Sequence, residues 1–261
     1  MKLKNIIEKV FPFLYSSKTY LAFGVEESPT KYPLNKARYL LMASYVHEEY
    51  LKKQRPIRVL DIGCNEGMMI LYCRKNNSKV EFYGIDILPE KKDKSMEQGY
   101  KSVLLQDIRE CPFDYEDNFF DVVICSHILE HLEYPEKLLE KLKPIIRKNG
   151  LLIVGVPIGL LPCILWRRYI TPLYSPINRK KESLKRFGHV TFFTLPGLKK
   201  LLKNHDFITE EARGDYFIRA RRFFIENYKW WFDFNQWYGK LFPGVLGHVT
   251  VKSRFRASNF Y

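Results

Sequence analysis

Short apolar runs alternate through the middle of the chain with segments of helical periodicity. Runs rich in valine, isoleucine and leucine predict buried strands, and segments with apolar residues three or four positions apart predict helices. The predicted strands are Arg58–Ile62, Val80–Asp86, Ser102–Asp107, Phe120–Ser126 and Leu151–Val156. The predicted helices are Asn35–Lys53, Met68–Lys75, Pro135–Arg147 and a helix that runs from Pro89 to a turn at Gly99. This alternation predicts a parallel sheet covered on both faces, and right-handed crossovers make a doubly wound α/β fold the simplest topology.

The pattern changes after Pro157. Residues 158–188 are irregular, basic and apolar, and residues 215–242 predict an aromatic-rich helical insertion. Three regular elements are predicted here: a helix over Thr194–Lys203 capped by Thr194, a strand over Phe207–Arg213, and an antiparallel edge strand over His248–Phe255. We therefore predict one domain over residues 1–261. Its parts are a helical lead-in (1–56), a ligand-binding core (57–157), a basic, aromatic-rich substrate or cap region (158–247) and a last strand (248–255).

A loop with two glycines follows the first predicted strand. Gly63 and Gly67 enclose it, and a helix is predicted to begin directly afterwards. Open α/β sheets bind nucleotide-like ligands at such strand-to-helix loops. Asn65 occupies the middle position, which argues against the Gly-x-Gly-x-x-Gly turn of dinucleotide sites. No Gly-Lys-Ser/Thr sequence follows, so a phosphate-cradling P-loop is excluded as well.

Three acidic residues lie at or near the ends of successive predicted strands. Asp61 precedes the glycine loop, while Asp86 and Asp107 end the second and third strands. Because the carboxyl ends of parallel strands meet at one edge of a sheet, we expect the three carboxylates to lie close together. A carboxylate at the position of Asp86 suits the vicinal hydroxyls of a ribose. Asp107 suits an adenine amine, with the next backbone amide donating to the ring. Each acid alone has an alternative role as a helix cap or turn residue.

The core motifs resemble those of a known family. The residues that carry the resemblance are Val59–Gly67, Tyr83–Asp86, Leu105–Ile108, Phe120–Val123, Ser126–Leu132, Leu142–Leu151 and Gly188–Thr194. On these motifs the chain resembles the class I S-adenosylmethionine-dependent methyltransferases, in the small-molecule branch that includes ubiquinone-type enzymes. The resemblance is strongest over residues 57–157 and extends over residues 186–208.

The resemblance implies a Rossmann-like fold with a seven-stranded, mostly parallel sheet whose last strand is antiparallel. It implies S-adenosylmethionine as the cofactor and in-line displacement of its sulfonium methyl by a nucleophile. The implied cofactor-binding residues are Asp61, Gly63, Cys64, Asn65, Gly67, Asp86, Ile87, Asp107, Ile108, Ser126 and His127. The family usually has glycine at the position of Asn65. Asparagine tolerates left-handed backbone, so we expect the turn to survive.

Histidines near the same edge are candidates for contact with the methyl acceptor. An alcohol acceptor would benefit from a general base that titrates near neutrality. We expect His131 or His189 to be the catalytic contact. The structural alternatives are stabilisation of a helical turn or packing near the cofactor by His131, and a loop-anchoring hydrogen bond from His189.

Charge is distributed unevenly along the chain. Residues 1–157 hold 24 Lys and Arg against 22 Asp and Glu, whereas residues 158–261 hold 19 against 7 and all four tryptophans. The basic and aromatic composition of the later part suits a membrane surface, a lipid, an anionic glycan or a nucleic acid. Five scattered cysteines without a Cys-x-x-Cys pair disfavour a zinc site or a disulfide framework. The same cysteine pattern fits a reducing cytoplasm, and no secretory signal is visible, so we expect a cytoplasmic protein without a metal. The basic, aromatic composition adds the expectation that it is peripheral to the membrane.

The acceptor is predicted from the cationic region. Arg167 and Arg168 follow apolar residues, and residues 219–242 mix arginines with aromatic side chains. This composition fits a lid for a lipid-linked or glycan acceptor, an RNA groove, or the aromatic core of a cap or dimer. The fine interleaving of basic and apolar residues disfavours RNA. We therefore predict methyl transfer to oxygen of a small-molecule or lipid- or sugar-linked acceptor, with RNA methylation and a non-catalytic cofactor-binding protein as the alternatives.

Overall fold

The structure is a computed structural model that describes residues 33–74, 79–110, 112–159, 188–216, 229–245 and 247–256. The predicted lead-in before residue 33, most of the irregular segment 158–188 with Arg167 and Arg168, and residues 217–228 of the predicted aromatic insertion lie outside these ranges.

Six α-helices, one 3₁₀ helix (Leu129–His131) and seven strands are described in these ranges. The helices are α1 (Pro33–Lys53), α2 (Met68–Arg74), α3 (Pro89–Gln98), α4 (Pro135–Ile145), α5 (Leu195–Asn204) and α6 (Lys229–Leu241). The strands are β1 (Ile57–Ile62), β2 (Val80–Asp86), β3 (Ser102–Leu105), β4 (Phe120–Ser126), β5 (Ile146–Ile158), β6 (Phe207–Tyr216) and β7 (Gly247–Phe255). Thr194 caps α5, accepting a hydrogen bond from the Gly197 amide at 3.1 Å, as the sequence predicts.

The strands form one sheet in the order β3-β2-β1-β4-β5-β7-β6. β1 pairs in parallel with β2 on one side and with β4 on the other. The chain adds β2 and β3 on the first side of β1 and then returns to add β4 on the second, so a topological switch point lies between β1 and β4. Ligands of open α/β sheets bind at this kind of switch point, beyond the carboxyl ends of the strands. The predicted fold class and the seven-stranded, mostly parallel sheet with an antiparallel last strand are confirmed.

The prediction that the last strand lies at the sheet edge is wrong. β7 runs between β5 and β6 and pairs antiparallel with both. Most of the polar side chains of β7 are buried, and its two cationic side chains are paired. Lys252 bonds Glu48 of α1, and the guanidinium of Arg254 reaches Glu49 of α1 at 2.8 Å. The true edge strand on this side is β6.

Two element boundaries also differ from the prediction. α4 ends at Ile145 and β5 begins at once, so Asn149 and Gly150 lie within the strand rather than in a turn before it. β3 ends at Leu105, which places Asp107 in the loop beyond the strand.

Both faces of the sheet are covered by apolar helix surfaces. One face packs against α4 and α5 and the other against α1 and α2, as a doubly wound fold requires. Leu139 and Leu142 of α4 are fully buried. Burial of each such side chain contributes roughly 1.5–3 kcal/mol. The helices leave the carboxyl edge of the central strands open for the site.

Candidate functional site

The loop after β1 is held against the end of β2 by backbone hydrogen bonds. Its first residue, Gly63, has a φ of 71°, and its amide donates to the Ile85 carbonyl at 2.7 Å. Asn65 and Gly67 also have positive φ angles, of 49° and 70°. The expectation that Asn65 tolerates left-handed backbone is therefore confirmed. The resulting turn carries the chain from β1 into α2 within a few residues.

Asp86 connects this loop to the end of β2. Its carboxylate accepts the Asn65 amide on Oδ2 at 2.8 Å and the Leu88 amide on Oδ1 at 3.0 Å. A carboxylate has about four acceptor positions, so each oxygen keeps capacity for one more donor. Asp86 thus holds the loop in place and can still accept two hydroxyl groups.

Two cavities lie on either side of the loop. One, of about 360 Å³, is lined by residues that include Asp61, Ser126 and three residues of α1. The other, of about 310 Å³, is lined by residues that include Asp86 and Asp107. Four residues line both cavities: Gly63, Asn65, His127 and Ile128. The loop is therefore the common wall of one divided cleft at the carboxyl edge of the sheet.

The structure brings most of the sequence-predicted site residues to this cleft. Asp61, Cys64 and Ser126 line the first cavity, and Asp86, Ile87, Asp107, Ile108 and His131 line the second. Gly67 lines neither cavity. A Cβ on Gly67 would meet the α3 backbone at 3.0 Å, so this glycine permits the turn and its close packing.

Asp61 is a buried carboxyl group. Tyr100 donates its hydroxyl to Asp61 Oδ2 at 2.7 Å. Burial, opposed by the Tyr100 hydrogen bond and aided by the nearby charge of Asp86, raises the pKa of Asp61 to about 7. A cation bound in the first cavity would favour the ionised form of Asp61.

The thiol of Cys64 is turned toward the protein core. Its Sγ lies 3.7 Å from the Ser95 hydroxyl of α3, and burial raises the pKa of the thiol to about 12. This cysteine is therefore a small packing residue of the loop rather than a nucleophile.

Asp107 forms an ion pair with Arg109 in the second cavity. The Arg109 Nε lies 2.9 Å from Oδ1 and 3.1 Å from Oδ2 of the carboxylate. A ligand amine at Asp107 would share this carboxylate with Arg109. Ile87 and Ile108 supply apolar walls on either side.

A carboxylate–imidazole pair follows β4. His127 has a φ of 58°, and its Nδ1 lies 2.8 Å from Glu130 Oε1. Burial lowers the pKa of His127 to about 4 despite the Glu130 bond, so the ring is neutral near pH 7. Its Nδ1 then donates to Glu130, which leaves Nε2 as an acceptor.

His131 and His189 lie side by side, with ring centroids 5.1 Å apart. His131 Nδ1 lies 3.2 Å from the Gly188 carbonyl. Glu130, His131 and His189 each bring a potential ligand atom within 4.8 Å of the others, so a metal ion would fit between these three described residues. The sequence-based expectation of no metal stays a prediction, as does the role of His131 or His189 in acceptor contact.

Sequence reasoning missed the α1 wall of the cleft. Arg38, Tyr39 and Met42 line the first cavity. The apolar periodicity of α1 predicted the helix but gave no reason to place this helix over the loop. Sequence reasoning also missed the contact between Asp215 and His248, which lie 33 residues apart and are brought together by strand pairing.

Comparisons with known proteins agree with this geometry. The sequence profile of the family described as "Methyltransferase domain" matches residues 34–212, which is more than half of the chain. Relative to (S)-coclaurine N-methyltransferase of Papaver somniferum, the chain is 27% identical over 143 residues, covering 52% of this chain and 38% of that enzyme. Relative to ubiquinone biosynthesis O-methyltransferase of Vibrio cholerae, it is 26% identical over 168 residues, covering 62% of this chain and 55% of that enzyme.

A solved structure shares the fold. Burkholderia thailandensis 1,6-didemethyltoxoflavin-N1-methyltransferase, with 1,6-didemethyltoxoflavin and S-adenosylhomocysteine bound, matches with a TM-score of 0.53 at 15% identity. The match covers 84% of this chain and 78% of that one. The chain spans less than two thirds of the length of the two curated enzymes above. On the extent of the profile match, the chain belongs to the methyltransferase domain family, as a class I S-adenosylmethionine-dependent member.

Proposed function

We propose that this protein transfers the methyl group of S-adenosylmethionine to an oxygen atom of a small-molecule or lipid- or sugar-linked acceptor. The observation that carries the transfer chemistry is the divided cleft, in which Asp86 both fixes the loop after β1 and keeps acceptor positions for two hydroxyl groups. The bound cofactor supplies an activated methyl group on a sulfonium.

The cleft residues fit this cofactor in charge and shape. Asp86 suits the ribose hydroxyls, and Asp107 with the apolar walls of Ile87 and Ile108 suits the adenine. In the other cavity, Asp61 suits the cationic groups and Arg38 suits the carboxylate of the methionine part. Because the methyl group is already activated, these residues contribute mainly by positioning it and excluding water.

The histidines of the cleft favour an oxygen acceptor. A hydroxyl must lose its proton as it is methylated, and a neutral imidazole is the side chain best suited to receive it near pH 7. His131 lines the cleft and is contacted by His189, whereas His127, whose pKa is lowered to about 4 by burial, is a weak base. The named relatives methylate both nitrogen and oxygen, so the relatives alone do not favour either atom.

The outer face of α6 supports an amphiphilic acceptor or surface. Phe232 and Asn235 are buried, and Gly239 packs so closely on Gly214 of β6 that a Cβ would lie 2.1 Å from its carbonyl oxygen. The opposite face exposes large apolar side chains at helical spacing, with Trp237 57% exposed. These side chains are Trp230, Phe234, Trp237 and Leu241, followed by Phe242. This face belongs to the part of the sequence, residues 158–261, that has an excess of 12 positive charges, and the combination fits an anionic membrane surface.

None of the described helices combines the length and hydropathy needed to cross a bilayer. The contact that we propose is made through the exposed apolar face of α6.

The acceptor is identified by labelling. The protein is incubated with cofactor carrying a labelled methyl group and with fractionated cell extract, and the product is then hydrolysed to locate the label. The proposal predicts label in a small-molecule, lipid or glycan fraction, as a methyl ether or ester. Label in RNA, or on nitrogen or carbon, would contradict it.

The membrane contact is tested separately by sedimentation with phosphatidylcholine vesicles, with and without phosphatidylglycerol. The variant Phe234→Ser/Trp237→Ser should lose the binding that anionic vesicles confer. Leu51→Ser, which removes an equally exposed apolar side chain from α1, should bind as the unmodified protein does. Equal binding by all three proteins would remove the α6 face from the proposal.

A further inference from the structure

Glu130 is a buried carboxylate with one oxygen paired and the other unpaired. It belongs to the 3₁₀ helix Leu129–His131 and is fully buried. Its Oε1 lies 2.8 Å from His127 Nδ1, whereas its Oε2 is shielded from solvent and has no hydrogen-bond partner among the described residues. Because buried polar atoms are nearly always paired, the unpaired carboxylate oxygen indicates a ligand that these residues do not supply.

Two histidines lie next to this carboxylate. Glu130, His131 and His189 each offer one potential ligand atom, and these three atoms lie within 4.8 Å of one another. His131 Nδ1 lies 3.2 Å from the Gly188 carbonyl. A carbonyl only accepts, so Nδ1 carries a hydrogen and Nε2 is the ring nitrogen left to bind a metal. Metal-binding histidines commonly donate their other N–H to a carbonyl in this way, which fixes the orientation of the ring.

Backbone hydrogen bonds hold the segment that carries His189 against the 3₁₀ helix. The amides of Val190 and Thr191 donate to the Glu130 carbonyl at 2.8 and 3.1 Å. The Thr191 hydroxyl donates to the Leu132 carbonyl at 2.6 Å. The fold therefore brings the three side chains together in advance, which lowers the cost of assembling a binding site.

The three side chains suit a divalent transition-metal ion. Two imidazoles and one carboxylate are the protein ligands of many catalytic zinc sites, which keep a further position open for water or substrate. Mg²⁺ and Ca²⁺ prefer oxygen ligands, so Zn²⁺ is the better match. Bonds of about 2.0–2.2 Å to one ion place its ligand atoms up to about 4.4 Å apart, close to the spacing found here. A small movement of the exposed His189 closes the site.

His131 connects these ligands to the cleft. It lines the second cavity together with Asp86. His127 and Ile128, which line both cavities, also line this one. An ion bound to His131 therefore lies at the wall of the divided cleft, where its open positions can take an oxygen atom of a second ligand.

We propose that Glu130, His131 and His189 bind a divalent transition-metal ion, and that this ion holds the acceptor oxygen during methyl transfer. The role of the ion rests on the oxygen acceptor proposed above, whereas the metal site does not. His131 and His189 then act on the acceptor through the ion instead of receiving its proton. The proposal departs from the sequence-based expectation of no metal, because the pairing of distant ligands is not visible in local spacing.

The bound ion draws electron density from the acceptor hydroxyl and favours loss of its proton to water. The acceptor O–H bond breaks and the methyl–oxygen bond forms. The sulfonium–methyl bond breaks with its electron pair staying on sulfur, so S-adenosylhomocysteine leaves as a neutral thioether. The ion keeps its oxidation state, and the step needs no oxidant or reductant.

The first test measures metal binding without cofactor or acceptor. The protein is stripped with EDTA, dialysed and titrated with Zn²⁺ by isothermal titration calorimetry. We expect one strong site per chain, and saturating Zn²⁺ should raise the melting temperature. His131→Ala and His189→Ala should each weaken binding at least about tenfold, because even groups that only contact a metal ligand commonly contribute that much.

His205→Ala is the matched control for His189→Ala. His205 also bonds a carboxylate, that of Glu140, but it lies outside the cleft. Its variant should bind Zn²⁺ as the unmodified protein does. Because His189 is exposed, the stripped His189→Ala protein should melt at the unmodified temperature, which separates loss of a ligand from unfolding. The absence of a strong Zn²⁺ site in the unmodified protein, or equal affinity after His189→Ala, would overturn the proposal.

The second test measures turnover on the acceptor identified by labelling. Stripping should lower kcat at least about tenfold and Zn²⁺ should restore it, while the affinity for S-adenosylmethionine stays unchanged. His189→Ala should not recover with Zn²⁺, whereas His205→Ala should. Equal kcat before and after stripping would overturn the role of the ion. Label on nitrogen or carbon would instead defeat the proposed acceptor, and the Zn²⁺ titration would still decide the metal site.

Discussion

Asn65 shows how a single residue determines the local geometry of the site. It adopts left-handed backbone with a φ of 49°, and its amide is held by Asp86. Left-handed backbone costs most residues with a Cβ roughly 1–2 kcal/mol, but asparagine and glycine much less. Asn65→Ala should therefore lower the free energy of unfolding by about 1 kcal/mol, whereas Asn65→Gly should stay within about 0.5 kcal/mol. Urea unfolding of the unmodified protein and the two variants measures these differences in the free energy of unfolding. An alanine variant as stable as the unmodified protein would contradict the prediction.

Asp61 should make stability depend on pH. Its folded pKa of about 7 lies above the value of about 3.9 expected in the unfolded chain. The folded state therefore holds the proton more tightly, and this contribution to stability is lost as pH rises through about 7. Asp61→Asn keeps an acceptor for Tyr100 and removes the charge. In the absence of cofactor, the free energy of unfolding of the variant should exceed that of the unmodified protein by roughly 1 kcal/mol at pH 5 and by roughly 4 kcal/mol at pH 8. Urea unfolding at the two pH values measures this difference. A difference that does not change with pH would contradict this account.

Residues of the loop and of the strand ends could be predicted because their spacing follows from the fold. Asp86 and Gly63 lie where the carboxyl ends of β1 and β2 must lie in a parallel sheet. Asp215 and His248 could not be predicted, because their contact depends on the register of β6 on β7. Nothing in the local pattern of β7 distinguishes a buried histidine from a solvent-facing one.

At the scale of elements, a buried ion-pair cluster joins β1, β4 and β5 at the end of the sheet opposite the cleft. Asp121 is fully buried and accepts hydrogen bonds from Arg55, the Arg58 amide and Arg147. Burial alone would raise the pKa of Asp121, but these donors outweigh it and the pKa is lowered. The stabilisation is therefore present above the unfolded pKa of about 3.9 and is lost as pH falls through the folded value.

Asp121→Ala should lower the free energy of unfolding by roughly 1–3 kcal/mol at pH 7, because the hydrogen bonds to a buried carboxylate are lost while the two partly exposed arginines can be hydrated instead. Asp117→Ala, on the exposed loop just before β4, should change it by less than about 0.5 kcal/mol. Urea unfolding at pH 7 measures both. Similar losses from the two variants would show that the cluster does not anchor the strands.

Most helices and strands could be predicted from the sequence. The position of β7 between β5 and β6 could not. The alternation of apolar runs and helical periodicity predicted β1, β2, β4 and α4 within a few residues. The alternation of residues along β7 predicts an antiparallel edge strand. In the structure these residues are buried under α1, where Glu48 and Glu49 pair with Lys252 and Arg254. Pairing between distant charges is not visible in a local pattern.

At the scale of the whole molecule, the chain divides its tasks between two regions. The nearly neutral part, residues 1–157, provides the loop and the acids of the divided cleft. The cationic region after it contributes the exposed aromatic face of α6 and, through β6 and β7, the Asp215–His248 pair. The first region explains why the family is recognisable, and the second carries the proposals on the acceptor.

The central claim is that the cleft binds S-adenosylmethionine through Asp86, and isothermal titration calorimetry tests it most directly. The account predicts saturable binding of S-adenosylmethionine and of S-adenosylhomocysteine to the unmodified protein. Asp86→Ala should weaken both at least about tenfold, because two ribose hydrogen bonds to a charged group and the hold on the loop are lost together. Asp93→Ala of α3 removes a surface carboxylate outside the cleft and serves as the control, with unchanged affinity. No heat of binding with the unmodified protein, or equal affinity after Asp86→Ala, would contradict the account.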